Sequence, residues 1–362
     1  MSVIPLMTIH KQLNANIQIT GNAGTILDYG YPIEEHNNVR ENVGIIDLSF
    51  IVKLKLTGKD NATYLHNRVS NSVETLKPGQ GCYAALLDYK GRMISDLWIH
   101  LLSDFILVTT GPKSRKELYE NFKKFIFSED VQLEDITESW GIISVQGPYS
   151  KTLINKVIDE PLDDMQIRDI REREFQNSKG CITKTEWTGE EGYHLIFPNV
   201  IIPALWSVLL DKGKDLRVKP FGMTAFDSLR LEAGIPIFGR DMDHETIPLE
   251  ANLKERAISY TKGCYPGQEI IARITNLGHP KQMLVGLEIQ ADNPVLEKSL
   301  IYLGENKIGH ITSCVYSPTF KKILGLGYVQ WDYREPGGKV IIKDVQSEIF
   351  AVITALPFYT RS

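Results

Sequence analysis

Cysteine is scarce in this 362-residue chain, and its four thiols, Cys82, Cys181, Cys264 and Cys314, lie far apart with no C-x-x-C pair among them. Disulfide frameworks and cysteine-rich zinc or iron–sulfur sites need clustered thiols, so the pattern argues against both, and each thiol has to be judged alone. Basic charge is not in excess either. Lys and Arg number 40 against 45 Asp and Glu, a formal net charge of -5, which gives no footprint for direct nucleic-acid binding or for an anionic membrane. The opening residues MSVIPLMTIHKQLNANIQIT carry no charged leader followed by an apolar run, and no later stretch approaches the roughly 18 apolar residues a spanning helix requires. The chain therefore reads as soluble and cytoplasmic. G-x-x-x-x-G-K-[ST], a G-x-G-x-x-G after a strand and G-x-S-x-G are all missing, so nucleotide chemistry and a serine-hydrolase elbow have no motif support.

What is present organises into parts. The length favours two or three domains. In IVKLKLTGKDNATYLHNRVSN, Val52, Leu54 and Leu56 alternate with Lys53 and Lys55 as in a half-buried strand, and a turn at Gly58 leads into a helical segment. A second strand-turn-helix stretch, WGIISVQGPYSKTLINKVI, repeats the cadence around Gly147, consistent with an internal structural repeat. Between them CYAALLDYKGRMISDLWIHLL reads as two strands joined at Asp88 to Gly91. TEWTGEEGYHLIFP reads as a hairpin, and helices are expected near Val200 to Leu210 and Met223 to Glu232. After Pro280 only short strand-like runs remain, from MLVGLEIQ to IFAVITAL, spaced by glycine and charged turns. The expectation is an α+β body over residues 1–278 followed by an all-β, barrel-like domain over 279–362.

Four stretches carry candidate chemistry. In KGCYPGQE, residues 262–269, Tyr265 to Gln268 suits a type II turn that delivers the chain into a helix from Gln268 to Leu277, capped by Gly278 and docked through Ile270, Ile271, Ile274 and Leu277. A thiol just before a helix N-terminus with Lys262 nearby sits in a field that favours the thiolate. Cys264 is thus either a reactive thiol or a small buried residue at a bend. Strand periodicity puts Asp96 on one face with Ile94 and Trp98, where burial would raise its pKa and suit acid–base work; the other reading is a surface aspartate on an edge strand. The hairpin bearing Trp187, Tyr193 and His194 can present rings to a flat ligand, or be an ordinary hairpin with a solvated acidic tip. In FDSLRLEAGIPIFGRDMDHETIPLEANL, the loop with Asp241, Asp243, His244 and Glu245 has no metal-binding register and reads as solvated.

Taken in order, GIIDLSFIVKLKLTGKDNATYLHNRVSN, GRMISDLWIH, TEWTGEEGYH, FDSLRLEAGIPIFGRDMD and TIPLEANL resemble segments of the aminomethyltransferase (glycine cleavage T protein) superfamily, and KGCYPGQE resembles the hallmark of its YgfZ-type folate-binding branch. The resemblance implies a folate-binding body of two related α+β subdomains with a C-terminal β-barrel-like domain, and tetrahydrofolate in a central cavity. It places Asp96 at the acid that works on the folate's one-carbon position, Tyr193 and residues 187–190 on the pterin-binding hairpin, and Trp187, His194 and Arg230 among the folate contacts. T proteins carry glutamate where His194 stands and arginine where Phe226 stands, so two polar anchors are changed. The YgfZ-like motif implies a role in assembly or repair of iron–sulfur proteins, with those proteins or their assembly factors as partners. Cys264 and Lys262, with Asp96, would then be the working residues, and thiols from elsewhere would complete any cluster. The alternatives are a folate-dependent one-carbon transferase using Asp96, and a non-catalytic scaffold docking through the Cys264 loop.

Overall fold

The computed structural model describes residues 5–20, 23–344 and 347–361. Packing divides the chain into two compact units, each drawn from three stretches: Met1–Tyr64, Val73–Cys82 and Trp98–Asp227 in the first, and Leu65–Ser72, Tyr83–Leu97 and Ser228–Ser362 in the second.

The first unit is built on a six-stranded sheet whose strands run in the order Ile170–Phe175, Ser178–Thr185, Gly192–Pro198, Trp140–Gln146, Gly44–Asp47 and Lys219–Pro220. Alternation along these strands turns Ile143, Val145, Tyr193, Leu195 and Phe197 into one core, where the helix Ile202–Lys212 lays down Leu205, Trp206 and Leu209. The ring of Phe197 comes within 2.3 Å of where a β-carbon on Gly180 would lie, so no larger residue fits there. N-terminal to the sheet, His10 on the helix Met7–Gln12 bonds Asp47 at 3.1 Å through Nε2 and the Tyr29 hydroxyl at 2.9 Å through Nδ1, which ties the helix to the sheet.

Both strand-turn-helix stretches are present. Val52–Thr57 leads through Gly58 into Asn61–Arg68, and Trp140–Gln146 leads through Gly147 into Ser150–Asn155. The glycines have φ of +101° and +121°, and a β-carbon at Gly58 would fall 2.0 Å from the Asp130 carbonyl oxygen, so the turn admits glycine alone. The strand Val52–Thr57 belongs to a five-stranded sheet in the order Gly81–Leu87, Met93–Leu101, Ile106–Thr110, Val52–Thr57 and Gln132–Asp135. Its expected half-buried pattern fails at Lys53, which has no exposure. The ammonium instead donates to the carbonyls of Ser49 and Ile51 at 2.8 Å each, and desolvation pulls its pKa down to about 7.

In the second unit the six strand-like runs after Pro280 close into a barrel, in the order Gln282–Ile289, Lys322–Gln330, Asn306–Ser317, Leu300–Leu303, Lys339–Asp344 and Ser347–Thr354. Closure leaves no open edge to aggregate, and Leu287, Ile301, Ile311, Val329, Ile342 and Ile353 fill the interior. Leu231, from the end of the helix Met223–Glu232, packs with Leu284, Leu324, Leu326 and Tyr328.

That junction corrects two expectations. Arg230 has no exposure, so it is not placed to hold a folate; Nη1 donates to Asp241 Oδ2 at 2.6 Å and Nη2 to Ser313 Oγ at 2.7 Å. Asp241 is not a solvated loop acid either. It is 2% exposed and also accepts from Thr312 Oγ1 at 2.7 Å and the Ile237 amide at 3.0 Å. A buried guanidinium survives only with such a matched set of acceptors. Among the described residues, no helix is long and apolar enough to cross a membrane.

Removing one partner strands the other charge. Asp241→Ala should therefore lower the unfolding free energy by about 3–5 kcal/mol, whereas Arg230→Met combined with Asp241→Leu should cost far less. Urea unfolding of the two variants distinguishes the cases, and equal losses would mean that the pair is not what fixes this junction.

Candidate active site

The hairpin Gly81–Leu87 to Met93–Leu101 turns through residues 88–91, where Gly91 donates to the Asp88 carbonyl with a φ of +72°. Folding back at this turn brings Tyr83 beside Asp96, and the Tyr83 hydroxyl donates to Asp96 Oδ2 at 3.0 Å. Asp96 is 3% exposed, which removes the surface-aspartate reading. Desolvation raises its pKa from 3.8 to about 6, opposed by the Tyr83 hydrogen bond and the charge of Arg256. The Arg256 guanidinium lies 5.6 Å over the Tyr83 ring, within cation–π range. The result is a carboxyl group that can both hold and release a proton near neutrality, oriented by a phenol. Tyr83 and Arg256 lie outside the candidate motifs; the hairpin turn at Asp88 to Gly91 is the one sequence signal that pairs Tyr83 with Asp96, and Arg256 has none.

The Cys264 stretch forms the expected turn. Gln268 donates to the Tyr265 carbonyl at 3.2 Å, Gly267 has a φ of 80°, and the helix runs Gln268–Leu277. A β-carbon on Gly267 would meet the Asp88 carbonyl oxygen at 2.5 Å, so this turn is seated on the turn at residues 88–91. Cys264 is exposed, which removes the buried-residue reading. Lys262 departs from its expected role as activator of the thiol. Its ammonium donates to the carbonyls of His66 and Val69, at the end of the helix Asn61–Arg68, and lies 4.9 Å over the Tyr265 ring. A lysine serving helix-end carbonyls that lack intrahelical partners is an anchor for the loop. The helix docks through Ile271, which is 1% exposed, while Leu277, expected on the same face, is 82% exposed.

The hairpin of the first unit separates its two expected ligand residues. Strand alternation sends Tyr193 and His194 to opposite faces. Tyr193 has no exposure and belongs to the sheet core, with its hydroxyl donating to Glu191 at 2.9 Å and Lys184 5.8 Å over its ring, so it is a structural residue rather than a ligand contact. His194 faces the other way, edge-on to Trp187 at 5.1 Å between ring centroids. Trp187 in turn meets Trp98 at 5.0 Å and Phe226 at 5.6 Å. His100 reaches the same face through Thr183, which is paired with His194 across the strands and bonds His100 Nε2 at 2.9 Å. The tip of the hairpin is not solvated: Glu190 is 3% exposed and paired with Arg40 at 3.1 Å, and Thr188 donates to Gln146 at 2.8 Å.

Burial depresses the pKa of His194 to about 3, with the nearby His100 adding to the effect, and that of His100 to about 4, with Arg168 adding. Both imidazoles are therefore neutral. Trp187 Nε1, His194 Nε2 and His100 Nδ1 are buried with no hydrogen-bond partner among the described residues. Buried polar atoms are rarely left so, and aromatic faces with unsatisfied ring nitrogens fit a flat heteroaromatic group such as the ring of a folate.

The sequence model of the GCVT N-terminal domain matches residues 6–262, and that of the glycine cleavage T-protein C-terminal barrel domain matches residues 282–360. The fold is that of an aminomethyltransferase: the crystal structure of the glycine cleavage system aminomethyltransferase T from Bartonella henselae superimposes with a TM-score of 0.86, covering 98% of this chain and 97% of that one at 24% identity. The chain belongs to the glycine cleavage T-protein family. Curated relatives named aminomethyltransferase include proteins of Thermoanaerobacter sp. (strain X514), 28% identical over 99% of this chain and 97% of theirs, and of Halalkalibacterium halodurans, 29% identical over 99% and 98%. The protein so named from Chloroherpeton thalassium is 29% identical over the whole of both chains. These relatives overturn the expectation of a role in iron–sulfur protein assembly or repair, with its cluster-assembly partners: that reading rested on an eight-residue motif, whereas the match to aminomethyltransferases extends end to end.

A carboxyl group whose pKa is higher in the folded than in the unfolded chain retains its proton longer when folded. Ionising Asp96 therefore costs stability as pH rises from about 4 to about 6, and the cost persists above that range. Asp96→Asn should consequently unfold at higher denaturant than the native protein at about pH 7.5, by about 1–3 kcal/mol, with the difference vanishing below about pH 4. An unchanged or lower midpoint at neutral pH would show that the carboxylate is not held against desolvation.

Proposed function

We propose that this protein is a tetrahydrofolate-dependent aminomethyltransferase, in which Asp96 is the acid–base group and Trp187 and His194 contact the folate ring. The observation that carries the reading is the Asp96–Tyr83 pair, a buried carboxyl tuned to about 6 and set in a chain that matches the T-protein family along both of its domains.

Tetrahydrofolate, when bound, would supply the two N–H groups that take over the methylene carbon of an aminomethylated donor, their protons leaving with ammonia and the freed carrier. The protein's own contribution is proton handling and orientation. With a pKa near 6, Asp96 is mostly ionised at neutral pH yet basic enough to accept a proton, which is the range in which a general base works well. Tyr83 donates to Oδ2, fixing the plane of the carboxylate while leaving it lone pairs with which to hold that proton. Arg256 restrains the rise in pKa, so the group is not locked in its protonated form.

The likeness of KGCYPGQE to the YgfZ-type branch is confined to one loop under this reading. Cys264 is exposed on a loop anchored by Lys262 and Gly267, and no role in proton handling is assigned to it. Cys264→Ala should leave methylene-tetrahydrofolate formation within about twofold, as is usual for an exposed site, and a large loss would return the thiol to the chemistry.

Asp96→Asn should lower the rate of methylene-tetrahydrofolate formation by about 10²–10⁴-fold while tetrahydrofolate still binds, and Tyr83→Phe should move the acidic limb of the pH–rate profile upward because the carboxylate loses a donor. A product assay with an aminomethylated donor, run across pH, decides the matter. Activity in Asp96→Asn within a few-fold of the native protein would sink the assignment.

A further inference from the structure

Three of the buried nitrogens of the first unit that have no partner among the described residues sit on one aromatic corner. His194 is 6% exposed and His100 2% exposed, yet among the described residues Nε2 of the first and Nδ1 of the second have no partner, and neither does Trp187 Nε1. Trp98 and Trp187 are only half-buried, so the rim of the corner keeps ring surface accessible while its nitrogens are enclosed. No charged atom is among these three, and Phe226 adds a further apolar ring against Trp187. We propose that this corner selects a heteroaromatic ring through uncharged nitrogens, and so accepts a pteridine-2,4-dione about as well as the 2-amino-4-oxo ring of a folate. The inference rests on the folate reading above and extends it to which ring edges are tolerated.

A 2-amino-4-oxo pteridine presents two neighbouring donors, the 2-amino group and N3–H, and a carboxylate can take up both with its two oxygens. A single imidazole nitrogen offers one acceptor position, so His194 takes one of these donors, His100 as acceptor would take the other, and Trp187 N–H would meet the 4-oxo group. The dione edge instead reads acceptor, donor, acceptor. Trp187 N–H, one imidazole acting as acceptor and the other as donor supply the complementary set, because a neutral imidazole serves in either role according to its tautomer. Burial keeps both histidines neutral and leaves that choice open. A carboxylate at position 194 would face an oxygen lone pair on the dione, and that repulsion would enforce discrimination.

Titration calorimetry of the full-length protein at neutral pH with tetrahydrofolate, pterin and lumazine (pteridine-2,4-dione) reads the preference directly. The native protein should bind pterin and lumazine within about threefold of each other. His194→Glu should favour pterin by about tenfold or more, the effect of one charge-assisted hydrogen bond gained and one repulsion introduced. His194→Phe, which buries no charge and so serves if the glutamate variant does not fold, should weaken both rings by about fivefold to tenfold. A native preference for pterin of tenfold or more, or unaltered ring binding in His194→Phe, overturns the inference. So does binding of neither ring while tetrahydrofolate-dependent transfer persists, because the ring would then be recognised elsewhere. The transferase reading fails separately, when the rings bind as expected but no methylene-tetrahydrofolate forms.

Discussion

Lys53, Asp96, Arg230 and His194 are all withdrawn from water, and desolvation acts on each with a different result. Arg230 cannot lose its charge, so the fold surrounds it with Asp241, Ser313 and the Ile235 carbonyl, and the helix end, the loop and the barrel strand become fixed to one another through that guanidinium. Lys53 can lose its charge, and it sits between two carbonyls with a pKa drawn down to about 7. Asp96 accepts from the Tyr83 hydroxyl and from its own backbone, which orients it without offsetting the desolvation that raises its pKa. His194 has no partner for Nε2 among the described residues, and burial pulls its pKa down to about 3. The same penalty thus makes a structural rivet where partners are complete, and displaces the proton affinity of the group where they are not.

The elements were largely legible because their signals are local. Alternation marked the barrel strands after Pro280, and the Tyr265 to Gln268 turn with its following helix could be read from proline and glycine positions alone. The repeat was readable for the same reason, since each copy needs a glycine with positive φ between strand and helix. What escaped notice depends on pairing across the sequence. Nothing near Arg230 announces Asp241 and Ser313 as its acceptors, and a lysine in an alternating strand looks solvent-facing until its carbonyl partners are seen. Tyr193 and His194 are adjacent in sequence, which invites assigning both to one ligand, yet a strand must send neighbours to opposite faces. Trp98 and His100 lie two apart on one strand and join Trp187 and His194, a grouping that exists only after the strands assemble.

The Cys264 loop shows how a motif can be right about geometry and misleading about role. Its turn, its helix and its exposed thiol all follow from the residues. The activator expected of Lys262 does not, because helix-end carbonyls compete for an ammonium and two of them are within reach. A short motif reports the conformation of its own backbone; it carries no information about where a long, flexible side chain finds its partners.

A carboxyl group kept near 6 in a buried setting is a standing cost to stability, and a fold under no functional demand has simple ways to relieve it. A second hydroxyl beside Asp96, or Arg256 brought into direct contact, would lower the pKa and recover the loss. The guanidinium lies over the Tyr83 ring and lowers the carboxyl pKa through its charge, while Tyr83 donates a hydrogen bond to Oδ2. The arrangement holds the proton affinity between that of a free carboxylate and that of a fully desolvated one. That intermediate value is what proton transfer near neutral pH requires, since a stronger pair would leave the group too weak a base and a drier one would leave it protonated. The raised proton affinity of Asp96 thus suits the acid–base role proposed for it.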